Sequence, residues 1–225
     1  VETTLGGKAT FEATGKLRYV PPASTQSLGL GESTQDSVQY VVNDGLGSTD
    51  TGTVTLTVTG INDLPVLATL PPLTLNEDGS FHGNGTQLGN YLSDIDSDSD
   101  EIQYRITNMA SIDSNFGISI GMASNSDQFA PRSDNSIHIH PANHFHGQTT
   151  VTIEARDLAD GVSNTQNFTV TINSENDSPL ASGATYQPVE NQLFEKDKAS
   201  GLATLVTDAE GDNLTFHVVT TSNNG

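Results

Sequence analysis

Val58-Thr59-Gly60-Ile61-Asn62-Asp63-Leu64-Pro65 carries an alternating run into an acidic turn, and the end of that turn returns as Asn176-Asp177-Ser178-Pro179, with the prolines 114 residues apart. The residues leading into each copy alternate in the same way, as Val54-Thr55-Leu56-Thr57-Val58-Thr59 and Phe168-Thr169-Val170-Thr171-Ile172-Asn173. Apolar and polar residues at a period of two are the pattern of a strand with one covered face. Two more markers keep nearly the same spacing. Asp96-Ser97-Asp98-Ser99-Asp100 reappears as Asp208-Ala209-Glu210-Gly211-Asp212 after 112 residues, and the acids that close strand-like runs, Asp44 and Asp157, lie 113 apart. Recurrence at one period means one structural unit used more than once.

Ile118-Ser119-Ile120, Ile137-His138-Ile139-His140, Val151-Thr152-Ile153 and Leu214-Thr215-Phe216-His217-Val218 show the same alternation. Asp44-Gly45, Glu77-Asp78-Gly79, Asp160-Gly161 and Glu210-Gly211-Asp212 supply turns between such runs. No stretch has helical periodicity. Short strands at this spacing, in units of about 110 residues, predict an all-β chain of tandem immunoglobulin-like or cadherin-like Greek-key sandwiches. The acidic turns follow strands directly, so the units are expected to stack end to end. Boundaries follow: 1–63 as the later part of a first repeat, 64–177 as a complete repeat, and 178–225 as the early part of a third. Val1-Glu2-Thr3 reads as the middle of a longer protein.

Of the 225 residues, 28 are acidic and 8 basic, a formal charge of −20, while hydrophobic residues make up only 33%. That balance lies near the disorder-prone corner of composition. The alternating runs oppose disorder, and the acid requires a counter-charge. Phosphate is repelled by such a surface, which excludes nucleic acid as the expected partner. Oxygen-rich clusters at the joints instead suit a hard divalent cation, calcium above all, which takes six to eight oxygens in a flexible shell. The absence of cysteine leans towards a bacterial surface protein, since secreted animal modules of this size often carry disulfides. No run of 18 apolar residues occurs, so membrane insertion is not expected.

The joints and acidic runs resemble the cadherin-like tandem repeats of large bacterial surface adhesins. The resemblance rests on Val58 to Val66, Asn76-Glu77-Asp78, Asp96-x-Asp98-x-Asp100 before Ile102-Gln103-Tyr104, and Ala155-x-Asp157. A bacterial variant of the pattern, Tyr-x-Pro ahead of a Gly and a strand, is similar to Tyr19-Val20-Pro21 and, more loosely, to Ile139-His140-Pro141 before Gly147. The resemblance implies calcium between successive repeats. Its ligands at the first joint would be Asn62, Asp63, Asp96, Asp98 and Asp157; at the second they would be Glu77, Asn176, Asp177, Asp208 and Glu210. Glu190 and Asp44 would serve joints outside this chain. The linker is one residue shorter than the animal form and lacks the Asp two positions before the Asn and the second Asn. With no mid-repeat acidic pair located, one ion per joint is the expectation.

His138, His140, His144 and His146 cluster around Pro141; on a strand, His138 and His140 share the face opposite Ile137 and Ile139, which predicts a solvated face rather than a zinc site. No nucleophile elbow, phosphate loop or metalloprotease helix is present. The acids fall at repeat-equivalent positions, which suits repeated binding sites better than one active site. The expected role is therefore a calcium-rigidified extracellular rod at a cell surface or in a secreted protein, not an enzyme. Its partners would be calcium, neighbouring repeats, and a homophilic or host-surface receptor. The alternative is a carbohydrate-binding accessory module of a secreted polysaccharide-degrading enzyme. It is weakened by the absence of Trp and the presence of only 5 Tyr, because sugars stack on exposed aromatics.

Overall fold

Alternation of Thr with Val, Leu and Ile becomes strand where a partner lies within reach. The computed structural model describes residues 1–98, 101–121, 128–129 and 136–217, with the backbone alone at 82–87. Near the start, β1 (Lys8–Phe11) and β2 (Leu17–Val20) form one antiparallel hairpin. Strands β3 (Ser33–Asn43) and β4 (Thr49–Thr59) form a second, in unbroken register from Ser33 opposite Thr59 to Asn43 opposite Thr49. Asp44 serves its own loop: one carboxylate oxygen accepts the backbone N–H of Leu46 at 2.7 Å and of Ser48 at 3.1 Å.

Asp36 on β3 joins the two hairpins. Its carboxylate, 1% exposed, accepts the hydroxyls of Thr3, Thr4 and Tyr19 and the N–H of Leu5. A buried charge survives only when its oxygens are paired in this way. Burial pushes the Asp36 carboxyl up, but the bonds donated by Thr3, Leu5, Tyr19 and Thr4 outweigh it and hold the group well below the usual carboxylate range. Burial and then Asp36 raise the Tyr19 phenol to about 12.

The main core belongs to the next stretch. It contains β5 (Val66–Leu67), β6 (Leu73–Asn76), β7 (Phe81–Gln87), β8 (Leu92–Ser93), β9 (Gln103–Ile106), β10 (Ile118–Ile120), β11 (Ser136–Ile139), β12 (Gly147–Arg156) and β13 (Gln166–Asn173). Four strands form one sheet in the order β6-β13-β12-β9, three form another in the order β10-β11-β7, and β5 pairs with β8. Tyr104, Ile106, Val151, Ile153, Val170 and Ile172 of the first sheet share one buried cluster with Ile118, Ile120, Ile137 and Ile139 of the second. The result is an all-β sandwich, as the alternation predicts. Each such side chain withdrawn from water contributes roughly 1.5–3 kcal/mol.

Position by position, the two alternating runs before the joints differ in burial. Phe168, Val170 and Ile172 are 4%, 0% and 2% exposed, whereas Val54, Leu56 and Val58, which stand 114 residues earlier, are only half-buried. Among the described residues, across the apolar face of the β3-β4 hairpin lies only the two-stranded β1-β2 sheet, which reaches it through Tyr19 to Asp36 and Phe11 to Tyr40. One pairing is not legible from periodicity: β6 runs parallel to β13, Leu73 opposite Val170 through Asn76 opposite Asn173.

Beyond the second joint, β14 (Leu180–Ala181) pairs with β15 (Val206–Thr207). This copies the pairing of Val66–Leu67 with Leu92–Ser93 at a spacing of 114 throughout. Two expectations change. The acidic runs match at 114 rather than 112, so Asp94 corresponds to Asp208, and Asp96 to Glu210. Leu214 to His217 carries no strand, and Val218 lies outside the described residues. At the spacing of 114, β9 corresponds to residues 217–220, of which only His217 is described. No helix among the described residues is long and apolar enough to cross a membrane.

Candidate metal centre at the joints

At the first joint, the turn after β4 is drawn against the acidic run that follows β8. The N–H of Asp63 donates to Asp96 Oδ2 at 3.1 Å, and the Asn62 amide donates to Asp157 Oδ2 at 2.9 Å. Asp157 is fully buried, and its other oxygen accepts the N–H of Gly161 at 2.7 Å. A Cβ at Gly161 would collide with the Asp157 carboxylate, the Asn62 amide and Leu64, so only glycine lets the loop close here.

Asp94 lies behind Asp96. One of its oxygens accepts the N–H groups of Asp96 and Ser97, each at 3.1 Å, but its Oδ2 and Asp96 Oδ1 are buried without hydrogen-bond partners. Burial and the neighbouring Asp96 push the Asp94 carboxyl up to about 6. Two adjacent carboxylates with orphaned oxygens lack a positive charge between them. A cleft of about 340 Å³ opens beside them, lined by Glu32, Asn62, Asp96 and Glu101 among others.

The second joint repeats the first contact: the N–H of Asp177 donates to Glu210 Oε2 at 3.1 Å, again across 33 residues. Glu77 follows β6 directly, and β6 lies beside β13, so the parallel pairing brings Glu77 to the exit of the sheet. Its Oε1 accepts the N–H of Glu175 at 2.7 Å, whereas Oε2 is buried without a hydrogen-bond partner; the residue is 3% exposed. Carboxylate oxygens of Glu77, Asp177 and Glu210 lie within 4.8 Å of one another. A second group, Asp78, His144 and Asp177, meets the same limit and shares Asp177.

His144 and His146 come from the loop before β12. Phe145 between them packs edge-on against Phe116 with ring centroids 4.8 Å apart, which anchors the loop while the imidazoles face the joint. His144 Nδ1 lies 2.5 Å from Asp177 Oδ2, and His146 Nδ1 lies 3.7 Å from Glu77 Oε2. The hydrogen bond and charge of Asp177 raise the pKa of His144 above its ordinary value, with Asp78 and Glu210 adding to the effect.

Of the residues expected at the first joint, the structure joins Asn62 to Asp157 and the Asp63 backbone to Asp96. Asp98 is exposed, with its N–H bonded to Glu101 Oε2 at 3.1 Å. At the second joint Glu77, Asp177 and Glu210 converge. Asn176 is exposed and turns its amide to the Asp177 carbonyl, and Asp208 accepts the N–H of Asp212 at 2.9 Å. Sequence reasoning missed Asp94, Asp78, His144 and His146 as joint residues. Asp94 had a signal, since Asp94-Ile95-Asp96 and Asp208-Ala209-Glu210 stand 114 apart. His138 and His140 do lie on the face opposite the buried Ile137 and Ile139, but His144 and His146 are not part of that face.

Carboxylates of Glu77, Asp177 and Glu210 converge at the second joint, unpartnered carboxylate oxygens occur at both joints, and no Lys or Arg bonds to them among the described contacts, a donor set able to hold a divalent cation. Two facing sheets around one Ile- and Val-rich core, with a strand pair and an acidic contact recurring at 114 residues, define a chain of immunoglobulin-type repeats. The chain belongs to the bacterial Ig domain family, whose profile matches residues 1–57 and 62–173. The expected bacterial Ig or cadherin-like repeat is borne out.

No curated protein sequence matches the chain. Similar solved structures include a variant of an endo-fucoidan hydrolase from glycoside hydrolase family 107, at 14% identity and a TM-score of 0.34, covering 75% of this chain and 22% of the other. The sialic acid binding region of a Streptococcus sanguinis adhesin is similar at 12% identity and a TM-score of 0.33, covering 79% and 40%. Zebrafish RET cadherin-like domains 1 to 4 are similar at 14% identity and a TM-score of 0.30, covering 76% and 39%. The chain thus spans well under half the length of each. At these scores the likenesses carry no argument about function.

Proposed function

We propose that this chain is a segment of a calcium-rigidified extracellular rod in a large bacterial cell-surface adhesin. The units would run 1–63, 64–177 and 178–225 and act by extension and by homophilic or host-surface contact, without catalysis. The observation that carries the reading is the second joint. Glu77 is buried with one oxygen unpartnered, and the Asp177 and Glu210 carboxylates converge on it from the linker and the following unit. Three carboxylates in such proximity repel one another, and a divalent cation reverses that sign while linking the units that supply them. The first joint offers Asp96 in the place of Glu210, with Asp94 behind it and Asn62 and Asp157 closing the side. Membership of a bacterial Ig family, the charge of −20 and the absence of cysteine support a surface location.

The test is thermal unfolding and small-angle scattering, in calcium and then in chelator. Calcium is expected to raise the stability by about 2.7 kcal/mol when its free concentration is a hundred times the dissociation constant. It is also expected to lengthen the particle, because straight joints replace flexible ones. Equal melting temperature and equal maximum dimension in both conditions would overturn the proposal.

A further inference from the structure

The two end units divide between them the parts that the central unit holds together. Strands β1 and β2 pair as β10 and β11 do, and β3 and β4 pair as β12 and β13 do, so the first unit carries the later half of a sandwich. The third unit carries pieces of the earlier half. Its β14 and β15 repeat β5 and β8, and its short 3₁₀ helix Leu202–Leu205 repeats Leu88–Tyr91. Residues that share one core in the central unit lie open at the two ends. Leu88 and Ile102 are wholly buried, whereas Leu202 and Phe216, 114 residues later, are 57% and 47% exposed. Ile153 and Ala155 are wholly buried, whereas Tyr40 and Val42, 113 residues earlier, are 37% and 56% exposed. A strand edge is divided in the same way. In the central unit β6 lies along β13, but β4 pairs with β3 alone among the described residues. Tyr186 to Val189, which precede Glu190 as Leu73 to Asn76 precede Glu77, form no strand and are exposed.

We propose that the chain associates head to tail with a second copy of itself: residues 186–217 of one copy complete the sandwich begun by β1 to β4 of the next. Tyr186 to Val189 add to the open edge of β4 as β6 adds to β13, an extended segment joining an unpaired strand. Leu202 and Phe216 enter the groove of about 830 Å³ that Phe11, Leu17, Tyr40, Val42 and Val54 help to line, and so withdraw apolar surface from water on both sides. The occupant is a second copy because the two joints lie at opposite ends of the central sheet. Asp157, in the first joint, directly follows the last residue of β12. Asp177, in the second, follows β13, whose Ile172 stands opposite Gly147, the first residue of β12. The length of β12 holds the two ends roughly 30 Å apart. The contact joins unlike surfaces, so it builds a series rather than a two-fold dimer. It uses none of the carboxylates at the joints.

The experiment follows the mass of the full chain by sedimentation velocity across a concentration series. The chain is expected to give dimers, trimers and longer species that grow with concentration. Val42→Asp blocks the front surface and Leu202→Asp blocks the tail. Both side chains are more than half exposed, so each variant is expected to fold, which far-ultraviolet circular dichroism checks. Each variant alone is expected to associate at least tenfold more weakly than the unaltered chain. An equimolar mixture keeps one intact tail and one intact front, so it is expected to recover dimers of unaltered affinity and to stop there. A strictly monomeric unaltered chain, a variant that alone associates as before, or a mixture that stays monomeric would overturn the proposal. Association is read from mass and the calcium rod from melting temperature, so either can fail without the other.

Discussion

Glu77→Gln should change the sign of its effect with calcium. The substitution keeps shape and the acceptor for the Glu175 N–H, and it removes one charge from a cluster whose oxygens lie within 4.8 Å. At that distance and an effective dielectric of 20, each pair of carboxylates costs about 3.5 kcal/mol, and three pairs about 10. A domain stable by about 5–15 kcal/mol cannot carry that sum unrelieved. Solvent around the half-exposed Asp177 and Glu210 screens much of it, which leaves roughly 1–3 kcal/mol to be gained by neutralising Glu77. In chelator, Glu77→Gln should therefore raise the melting temperature, at about 4 °C per kcal/mol for a unit of this size.

In calcium the same change removes a ligand. A tenfold loss of affinity, from a hundredfold excess over the dissociation constant, reduces the calcium increment by about 1.3 kcal/mol. Calorimetry on both proteins in both buffers gives the four melting temperatures required. If Glu77→Gln lowers the melting temperature by the same amount with and without calcium, Glu77 is a structural acceptor for Glu175 and the reasoning fails.

Four further expectations can be checked separately. Gly161→Ala should cost about 1–3 kcal/mol through overpacking against Asp157, Asn62 and Leu64, read by thermal unfolding, with no change in the hydrogen exchange of β14 and β15. The depressed Asp36 carboxyl contributes stability that is present above its unfolded value near 4 and lost as pH falls. The raised Tyr19 phenol contributes stability that is complete below about 10 and lost as pH rises through about 12. Hydrogen exchange of β2 and β3 across that range should show protection falling at both ends, and flat protection would contradict it. Replacing His138 and His140 together with Thr should shift stability by about 0.5 kcal/mol or less, as for ordinary surface positions; a much larger loss on denaturant titration would show a structural role. Val41 and Val42 are exposed beside Phe11 and Tyr40, so light scattering should detect self-association at high concentration, and a strictly monomeric chain would exclude it.

The strands were legible where a covered face imposes a period of two. Phe168, Val170 and Ile172 alternate with Thr169, Thr171 and Asn173 because one side of β13 meets the core and the other meets water. The parallel contact of β6 with β13 left no such trace, since pairing direction does not alter which side chains face inward. Counting from the first acid of a five-residue acidic run set the repeat two residues out of step and hid Asp94. The short pairs Val66–Leu67 with Leu92–Ser93 and Leu180–Ala181 with Val206–Thr207 restore the step. His144 and His146 were hidden for another reason. They reach Asp177 and Glu77 across 33 and 69 residues, and no local pattern records a contact made by a loop held through Phe145.

The parallel pairing of β6 with β13 also bears on mechanical load. β6 lies near the start of the central unit and β13 at its end, and tension applied through the two joints pulls these neighbours in opposite directions along their lengths. The ladder from Leu73 opposite Val170 to Asn76 opposite Asn173 is then loaded in shear. Its hydrogen bonds must give way together, whereas a hairpin pulled from its open end unzips one bond at a time. Resistance to stretching is set by the rate of forced unfolding rather than by equilibrium stability. The four residue pairs that carry Glu77 to the second joint thus also form a clamp loaded in shear when the chain is pulled.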